Sequence, residues 1–157
     1  PEGTVYSVQG ADKTLLFTPD GITFRLKGQD QSWVVKLEFV GRNPAAVPHG
    51  EDRQKAVFSY FTGPKEEWRA GLPTFSKVVY AELWPGIDLV YRGTANELKY
   101  EFVLQPGADP AQIRLRYRGA ENVCMTERGA LRVVTPVGGF EDAAPEAWQE
   151  IDSGACR

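Results

Sequence analysis

Residues 84–113 have the sequence WPGIDLVYRGTANELKYEFVLQPGADPAQI, and this stretch decides the fold. Apolar and polar side chains alternate from Ile87 to Arg92 and again from Leu98 to Leu104, which is typical of strands with one buried face. Residues 93–96 between them are Gly, Thr, Ala and Asn, which suit a turn. The stretch therefore predicts an antiparallel β-hairpin.

Similar strand signals recur along the rest of the chain. Pro19-Asp20-Gly21 has the composition of a tight turn, and in residues 32–39 Trp33, Val35, Leu37 and Phe39 alternate with Ser32, Val34, Lys36 and Glu38, as in a strand with one buried face. Residues 41–52 contain two prolines and two glycines, so we expect a loop there. Extended segments are expected at 4–9, 14–18, 22–27, 32–39, 56–61, 77–83, 113–117, 122–126 and 130–135, with short strands or edges at 138–142 and 147–151.

This number of short strands indicates two packed layers of sheet. Helical turns are expected only near Pro64 and near Pro110, where Asp109 is placed to cap the turn. We predict an all-β fold, an antiparallel β-sandwich of about eleven short strands with at most one or two short helical turns. It is expected to form a single domain over residues 1–157.

Composition excludes several classes of partner. The chain has 18 Lys and Arg against 21 Asp and Glu, a net charge of −3, so we expect no nucleic acid partner. No apolar run approaches the roughly 20 residues that a membrane helix needs, so no membrane insertion is expected. Gly138-Gly139 lacks the residues of a phosphate-binding loop, and we predict no cofactor.

The charged face of the central hairpin offers one candidate site. If Arg92 faces Glu97 across the turn, the same register places Asp88 opposite Glu101. Two facing carboxylates need a cation or a shared proton, which would suit acid–base chemistry or calcium. The alternative is a solvated ladder in which Arg92 and Lys99 neutralise both carboxylates.

Aromatic residues offer a second kind of candidate. The tryptophans are Trp33, Trp68, Trp84 and Trp148, and such rings can stack on sugars at a half-wet surface. They can equally pack into the core or seal its edge. The candidate ligand-binding residues are therefore Trp84 and Trp148, together with Asp88 and Glu101, and no catalytic residue is assigned.

The histidine and the cysteines give weaker signals. His49 stands near Glu51 and Asp52, either as a solvated loop residue or as part of a metal or proton-transfer cluster. Cys124 and Cys156 either form one disulfide or remain free, and with a single histidine they cannot build a four-ligand zinc site unless a carboxylate contributes. Because the chain begins at Pro1 and has one methionine, we expect a fragment of a larger protein.

Several blocks of the sequence, in the same order, resemble an uncharacterised bacterial domain. That domain typically stands near the N-terminus of large exported proteins that carry β-propeller repeats of the SBBP type. The blocks that carry the resemblance are residues 16–24, 41–45, 59–63, 68–69, 72–75, Tyr80, 84–91, 98–103, 106–110 and Ile113.

The resemblance implies an extracellular or cell-surface location and a multidomain parent. It implies neighbouring domains of the same chain as partners, with a glycan or a protein at the cell surface as a further one. It implies no reaction. Lys99 departs from the pattern, which often has an acidic or small residue there, and this weakens the carboxylate-pair hypothesis. We expect a noncatalytic structural or adhesive module, with a carbohydrate-binding or carbohydrate-active β-sandwich as the alternative.

Overall fold

The computed structural model describes residues 6–60, 64–67, 69–93 and 98–149, except for the side chains of residues 58–60 and 67. These residues form strands joined by turns, with two short 3₁₀ turns at Lys65–Glu67 and Pro110–Gln112. The strands are β1 (Tyr6–Gln9), β2 (Lys13–Thr18), β3 (Gly21–Lys27), β4 (Ser32–Phe39), β5 (Pro48–Tyr60), β6 (Arg69–Trp84), β7 (Ile87–Arg92), β8 (Lys99–Leu104), β9 (Leu115–Arg118), β10 (Asn122–Met125), β11 (Leu131–Thr135) and β12 (Gly138–Asp142).

The strands build three antiparallel sheets. A five-stranded sheet has the order β1-β2-β3-β4-β9, a four-stranded sheet has the order β5-β6-β7-β8, and a three-stranded sheet has the order β10-β11-β12. Most neighbouring strands are consecutive in the chain, and β9 crosses over to pair with β4. Short turns therefore account for most of the topology.

One face of the five-stranded sheet carries the apolar side chains. In β3 and β4 the pairs Ile22 with Leu37 and Phe24 with Val35 lie on this face, because directly opposed residues of antiparallel strands point the same way. Phe17 of β2 continues the face. It is long enough to be covered by two smaller sheets.

The four-stranded sheet covers one end of this face. Phe39 packs edge-on against Tyr80 at a ring-centroid distance of 5.1 Å and lies 6.1 Å from Trp84, and Phe17 packs edge-on against Tyr91 at 5.2 Å. The main buried cluster runs through these rings together with aliphatic residues of both sheets. This two-layer contact is the predicted sandwich.

The three-stranded sheet covers the other end. Val133 is buried against Leu26 and Val35 in a second, smaller cluster. Phe140 of β12 stacks on Phe24 at 4.7 Å with an interplanar angle of 19°. The prediction of an all-β antiparallel fold is confirmed. The separate third sheet was not predicted.

Individual elements match the predictions to different degrees. Strand β4 has the predicted bounds, and Asp109 caps the 3₁₀ turn by accepting the N–H of Ala111 at 2.9 Å. The loop predicted at 41–52 is wrong for its second half, because β5 begins at Pro48. Proline is tolerated at the first residue of a strand. Residues 147–149 are not a strand, and 150–151 lie outside the described residues.

Candidate functional site

The register of the central hairpin differs from the predicted one. Strand β7 pairs with β8 so that Asp88 faces Val103, Val90 faces Glu101 and Arg92 faces Lys99. The prediction that Asp88 faces Glu101 is therefore wrong. The physical reason is that six residues, rather than four, join the paired positions Arg92 and Lys99. Hairpin register follows the loop length.

Asp88 has a backbone partner instead. Its Oδ1 accepts the main-chain N–H of Glu82 at 2.7 Å, and Glu82 Oε2 accepts the N–H of Gly86 at 3.1 Å. Glu82 has φ of 49° and lies where three residues of β6 oppose one residue of β7. A β-bulge at a positive φ needs such support. The carboxylate of Asp88 thus holds a bulge beside the β6–β7 turn.

Glu101 is engaged by a cation. Arg92 Nη2 lies 2.5 Å from Glu101 Oε1, so the ladder expected on the charged face is present for this pair. The Arg92 and Glu101 side chains are both partly exposed, which keeps the contribution of such a pair to stability small. The hairpin has the solvated ion pair and not the pair of facing carboxylates.

Trp84 does not lie at the surface. It is 2% exposed, and its indole Nε1 donates to the carbonyl of Val40 at 3.0 Å. The expectation that Trp84 contacts a surface ligand is corrected by this burial, and the core-packing alternative is the one observed. Trp33 is half-buried and donates to the carbonyl of Gly119 at 2.6 Å, and Trp68 lies outside the described residues.

Trp148, His49 and Cys124 are accessible. Trp148 is 71% exposed, and its ligand-binding role stays a prediction. His49 Nε2 lies 3.1 Å from Glu51 Oε1, with both side chains partly exposed. Cys124 is exposed, and the predicted alternative of a bridge to Cys156 falls outside the described residues.

A cluster of tyrosines lies where the sheets meet. The Tyr100 hydroxyl on β8 donates to the carboxylate of Asp142 on β12, which ties the four-stranded sheet to the three-stranded one. Burial, followed by this hydrogen bond, raises the pKa of Tyr100. Burial also raises the pKa values of Tyr91 and Tyr117. These phenols stay protonated at neutral pH and act as packing groups.

The open face of the five-stranded sheet was not singled out from the sequence. It is the face turned away from the apolar one, and it holds Arg25 on β3, Lys36 and Glu38 on β4, and Arg116 and Arg118 on β9. In β4, Val35 and Leu37 lie on one side of the strand and Lys36 and Glu38 on the other. This alternation is the sequence pattern that marks a charged face. The sequence did not indicate that β9 pairs with β4.

The pKa of Glu38 reflects the charges on the open face. A hydrogen bond from Arg118 Nε at 2.7 Å is the main reason that the pKa of Glu38 lies below its usual value. Burial acts in the opposite direction, and the charges of Arg118, Arg116 and Lys36, each with a smaller influence than burial, lower that pKa further. Positive charge therefore dominates around this carboxylate.

An open depression of about 320 Å³ lies at one end of this face, on the main chain around Gly21. Its lining includes Thr18, Thr23, Lys36 and Arg116, and also the carboxylates of Asp20 and Glu38 and the guanidinium of Arg42, which pairs with Asp20. A Cβ at Gly21 would lie 1.9 Å from the carbonyl oxygen of Leu37, so only glycine fits the strand pairing there.

Two features are absent from the part of the chain that the structure describes. Within residues 6–149, apart from the undescribed gaps, no three His, Cys, Asp or Glu side chains are grouped closely enough to hold a metal ion. In the same described segments, no helix has the length and apolarity that crossing a membrane requires.

Together these features define a class of protein: an all-β domain of three antiparallel sheets, with an aromatic core and one open basic sheet face. Residues 1–156 match the family described as a domain of unknown function, DUF7948. The chain belongs to that family. No curated protein and no solved structure matches it.

Proposed function

We propose that this chain is a noncatalytic structural or adhesive module of a bacterial surface or secreted protein. The proposal rests on the contacts made by the residues that could have formed a catalytic site. Asp88 supports a bulge, Glu101 pairs with Arg92, and Trp84 lies in the core. Each side chain is engaged in a contact that stabilises the fold.

The electrostatics support the same proposal. Asp52, like Glu38, has a pKa below its usual value, because Lys77 Nζ lies 2.8 Å from its carboxylate. A general acid in a glycosidase needs a carboxyl whose pKa is raised. These two carboxylates are shifted in the opposite direction.

The exported setting rests on the sequence resemblance to domains near the N-terminus of SBBP-repeat proteins. We expect the natural full-length protein to carry this domain on the outside of the cell. Brief protease treatment of intact cells, followed by detection with an antibody against residues 6–149, tests this. Loss of the signal from intact cells supports the proposal. A signal that survives on intact cells and disappears only after lysis would contradict it.

A carbohydrate-binding role is the second candidate. The exposed ring of Trp148 and the depression on the open face favour it. If Trp148 stacks on a sugar, Trp148→Ala should abolish binding to a glycan array while Trp148→Phe retains part of it. An array that is blank for the unmodified chain would exclude this role.

A further inference from the structure

The open face of the five-stranded sheet concentrates positive charge in an acidic chain. Arg25, Lys36, Arg116 and Arg118 share this face with the single carboxylate of Glu38, and Lys27 lies on the same face at the end of β3. The surplus is four positive charges. The whole chain has a net charge of −3. Directly opposed and diagonal residues of neighbouring strands lie about 5 to 8 Å apart, so these cations form one continuous patch.

Most of these cations are available to a ligand. Glu38 holds Arg118 at 2.7 Å, whereas its nearest approach to Arg116 is 3.8 Å, beyond hydrogen-bond distance. Among the described side chains, neither Arg25 nor Lys36 forms an ion pair within 4.0 Å. Lys36 and Arg116 also line the depression. A single carboxylate cannot neutralise all of these charges.

The other side chains of this face are mostly polar, with the buried Leu16 and the half-exposed Val34 as aliphatic members. Thr18 and Thr23 present hydroxyl groups at the depression. No aromatic residue lies on the open face in any of the described strands β1, β2, β3, β4 and β9. Bases of single-stranded nucleic acid and neutral sugars are bound largely by stacking on aromatic rings. A face without rings favours a ligand recognised by its charge and its hydroxyl groups.

We propose that the open face binds an acidic polysaccharide, with the carboxylates of uronic acid units at Lys36 and Arg116 and sugar hydroxyls at Thr18 and Thr23. Guanidinium groups match the geometry of carboxylates. The depression has a volume at the lower end of the range for small-ligand sites, which fits part of a chain rather than a whole polymer. This inference rests on the proposed adhesive role and gives that role a ligand class.

The experiment is calorimetric titration of the full 157-residue chain with an oligogalacturonate at about 20 mM salt, where screening between charges is weak. The test variant is K36Q/R116Q, which removes two charges from the face. The matched control is R53Q/K55Q, which removes two exposed charges from β5. Circular dichroism and thermal unfolding establish that both variants fold like the parent.

We expect K36Q/R116Q to weaken binding by about tenfold or more, since two charge-assisted contacts are lost, and R53Q/K55Q to stay within about twofold of the parent. Binding should also fall as salt is raised. A neutral maltooligosaccharide and a single-stranded oligothymidylate of equal charge complete the experiment. Neither is expected to bind as tightly as the oligogalacturonate.

Four results would overturn the inference: no binding of oligogalacturonate, equal weakening in both double variants, equal binding of the neutral sugar, or tighter binding of the oligothymidylate. The last would make the face a nucleic acid surface. Failure here is distinguishable from failure of the proposed function, because surface exposure on cells is measured independently of any ligand.

Discussion

Asp88 illustrates how an acidic residue on a polar strand face can be required by the backbone. Its carboxylate accepts the N–H of Glu82, a non-glycine residue at φ of 49°. Leu83 and Trp84, which follow the bulge at Glu82, are both buried. The sequence shows only that residue 88 is acidic. The bulge explains why a carboxylate is needed at that position.

Replacing Asp88 with Ala should lower the free energy of unfolding by about 1 to 2 kcal/mol, since the Glu82 N–H loses its acceptor. Asp88→Asn keeps an oxygen at the same place and is the matched control, with a loss below about 1 kcal/mol. Urea unfolding measures both. Equal losses in the two variants would show that the charge, and not the hydrogen bond, is what matters.

Gly21 is a second residue whose identity is set by a neighbour. A Cβ there would meet the Leu37 carbonyl oxygen at 1.9 Å. We expect Gly21→Ala to cost about 2 kcal/mol or more, because β3 and β4 must separate locally. Gly41→Ala is the control, since nothing lies within 4 Å of its Cβ position and only the φ of 69° is strained. That strain costs about 1 kcal/mol. Equal thermal unfolding of the two variants would contradict the steric account.

At the scale of elements, the sequence predicted strand positions better than strand pairing. The β7–β8 hairpin has both of its predicted strands, yet its register is shifted by two residues. A two-residue shift leaves every side chain on its original face, so the alternation of apolar and polar residues fits both registers equally well. The length of the loop decides between the two registers, and the Asp88/Glu101 hypothesis depended on that length.

In β5, by contrast, the position of the strand itself was predicted poorly. Residues 51–57 of β5 are exposed and lack alternation, because β5 is the edge strand of its sheet and has a register shift after Arg53. Edge strands bury little and carry a weak pattern. The sequence indicated a loop where β5 begins because residues 41–52 contain two prolines and two glycines, of which Pro48 and Gly50 lie within β5.

The link between β8 and β12 is a testable contact between elements. We expect Tyr100→Phe and Asp142→Ala each to destabilise the fold, and their double variant to show a coupling energy of about 1 kcal/mol, since both changes remove one hydrogen bond. Thermal and urea unfolding of the four proteins in this cycle supply the numbers. Strictly additive losses would mean that the hydroxyl and the carboxylate do not interact.

At the scale of the whole molecule, one sheet serves as the base for two smaller ones. The apolar face of the five-stranded sheet packs against the four-stranded sheet through Phe39 and against the three-stranded sheet through Phe24. The other face remains open and basic. The sequence predicted the sandwich but not this division, since local patterns do not say which distant strands cover which part of a face.

Four tyrosines at or near the sheet contacts make the molecule sensitive to alkali: Tyr80 and Tyr91 are buried, Tyr117 is half-buried, and Tyr100 is 36% exposed. Burial raises the pKa values of Tyr80, Tyr91, Tyr100 and Tyr117 above the ordinary 10.0. Below pH 10 these phenols are protonated in both states. Above it the unfolded chain releases their protons while the folded chain retains them, so the free energy of unfolding falls as pH rises.

We therefore expect the tyrosinate absorbance of these residues to appear together with the loss of the circular dichroism signal as pH rises above 10. Tyr100→Phe removes one of the linked protons and should flatten the fall in stability with pH. Ionisation of all tyrosines before any loss of structure would contradict their burial.

The central claim is that the surface available for binding is the open face of the five-stranded sheet, and that the charged residues of the central hairpin serve the fold. Amide chemical shifts of the labelled chain during titration with an oligogalacturonate test it most directly. We expect shifts on β3, β4 and β9 around Lys36 and Arg116, with β7 and β8 unchanged. Shifts centred on Asp88 and Glu101, with the open face unaffected, would contradict it.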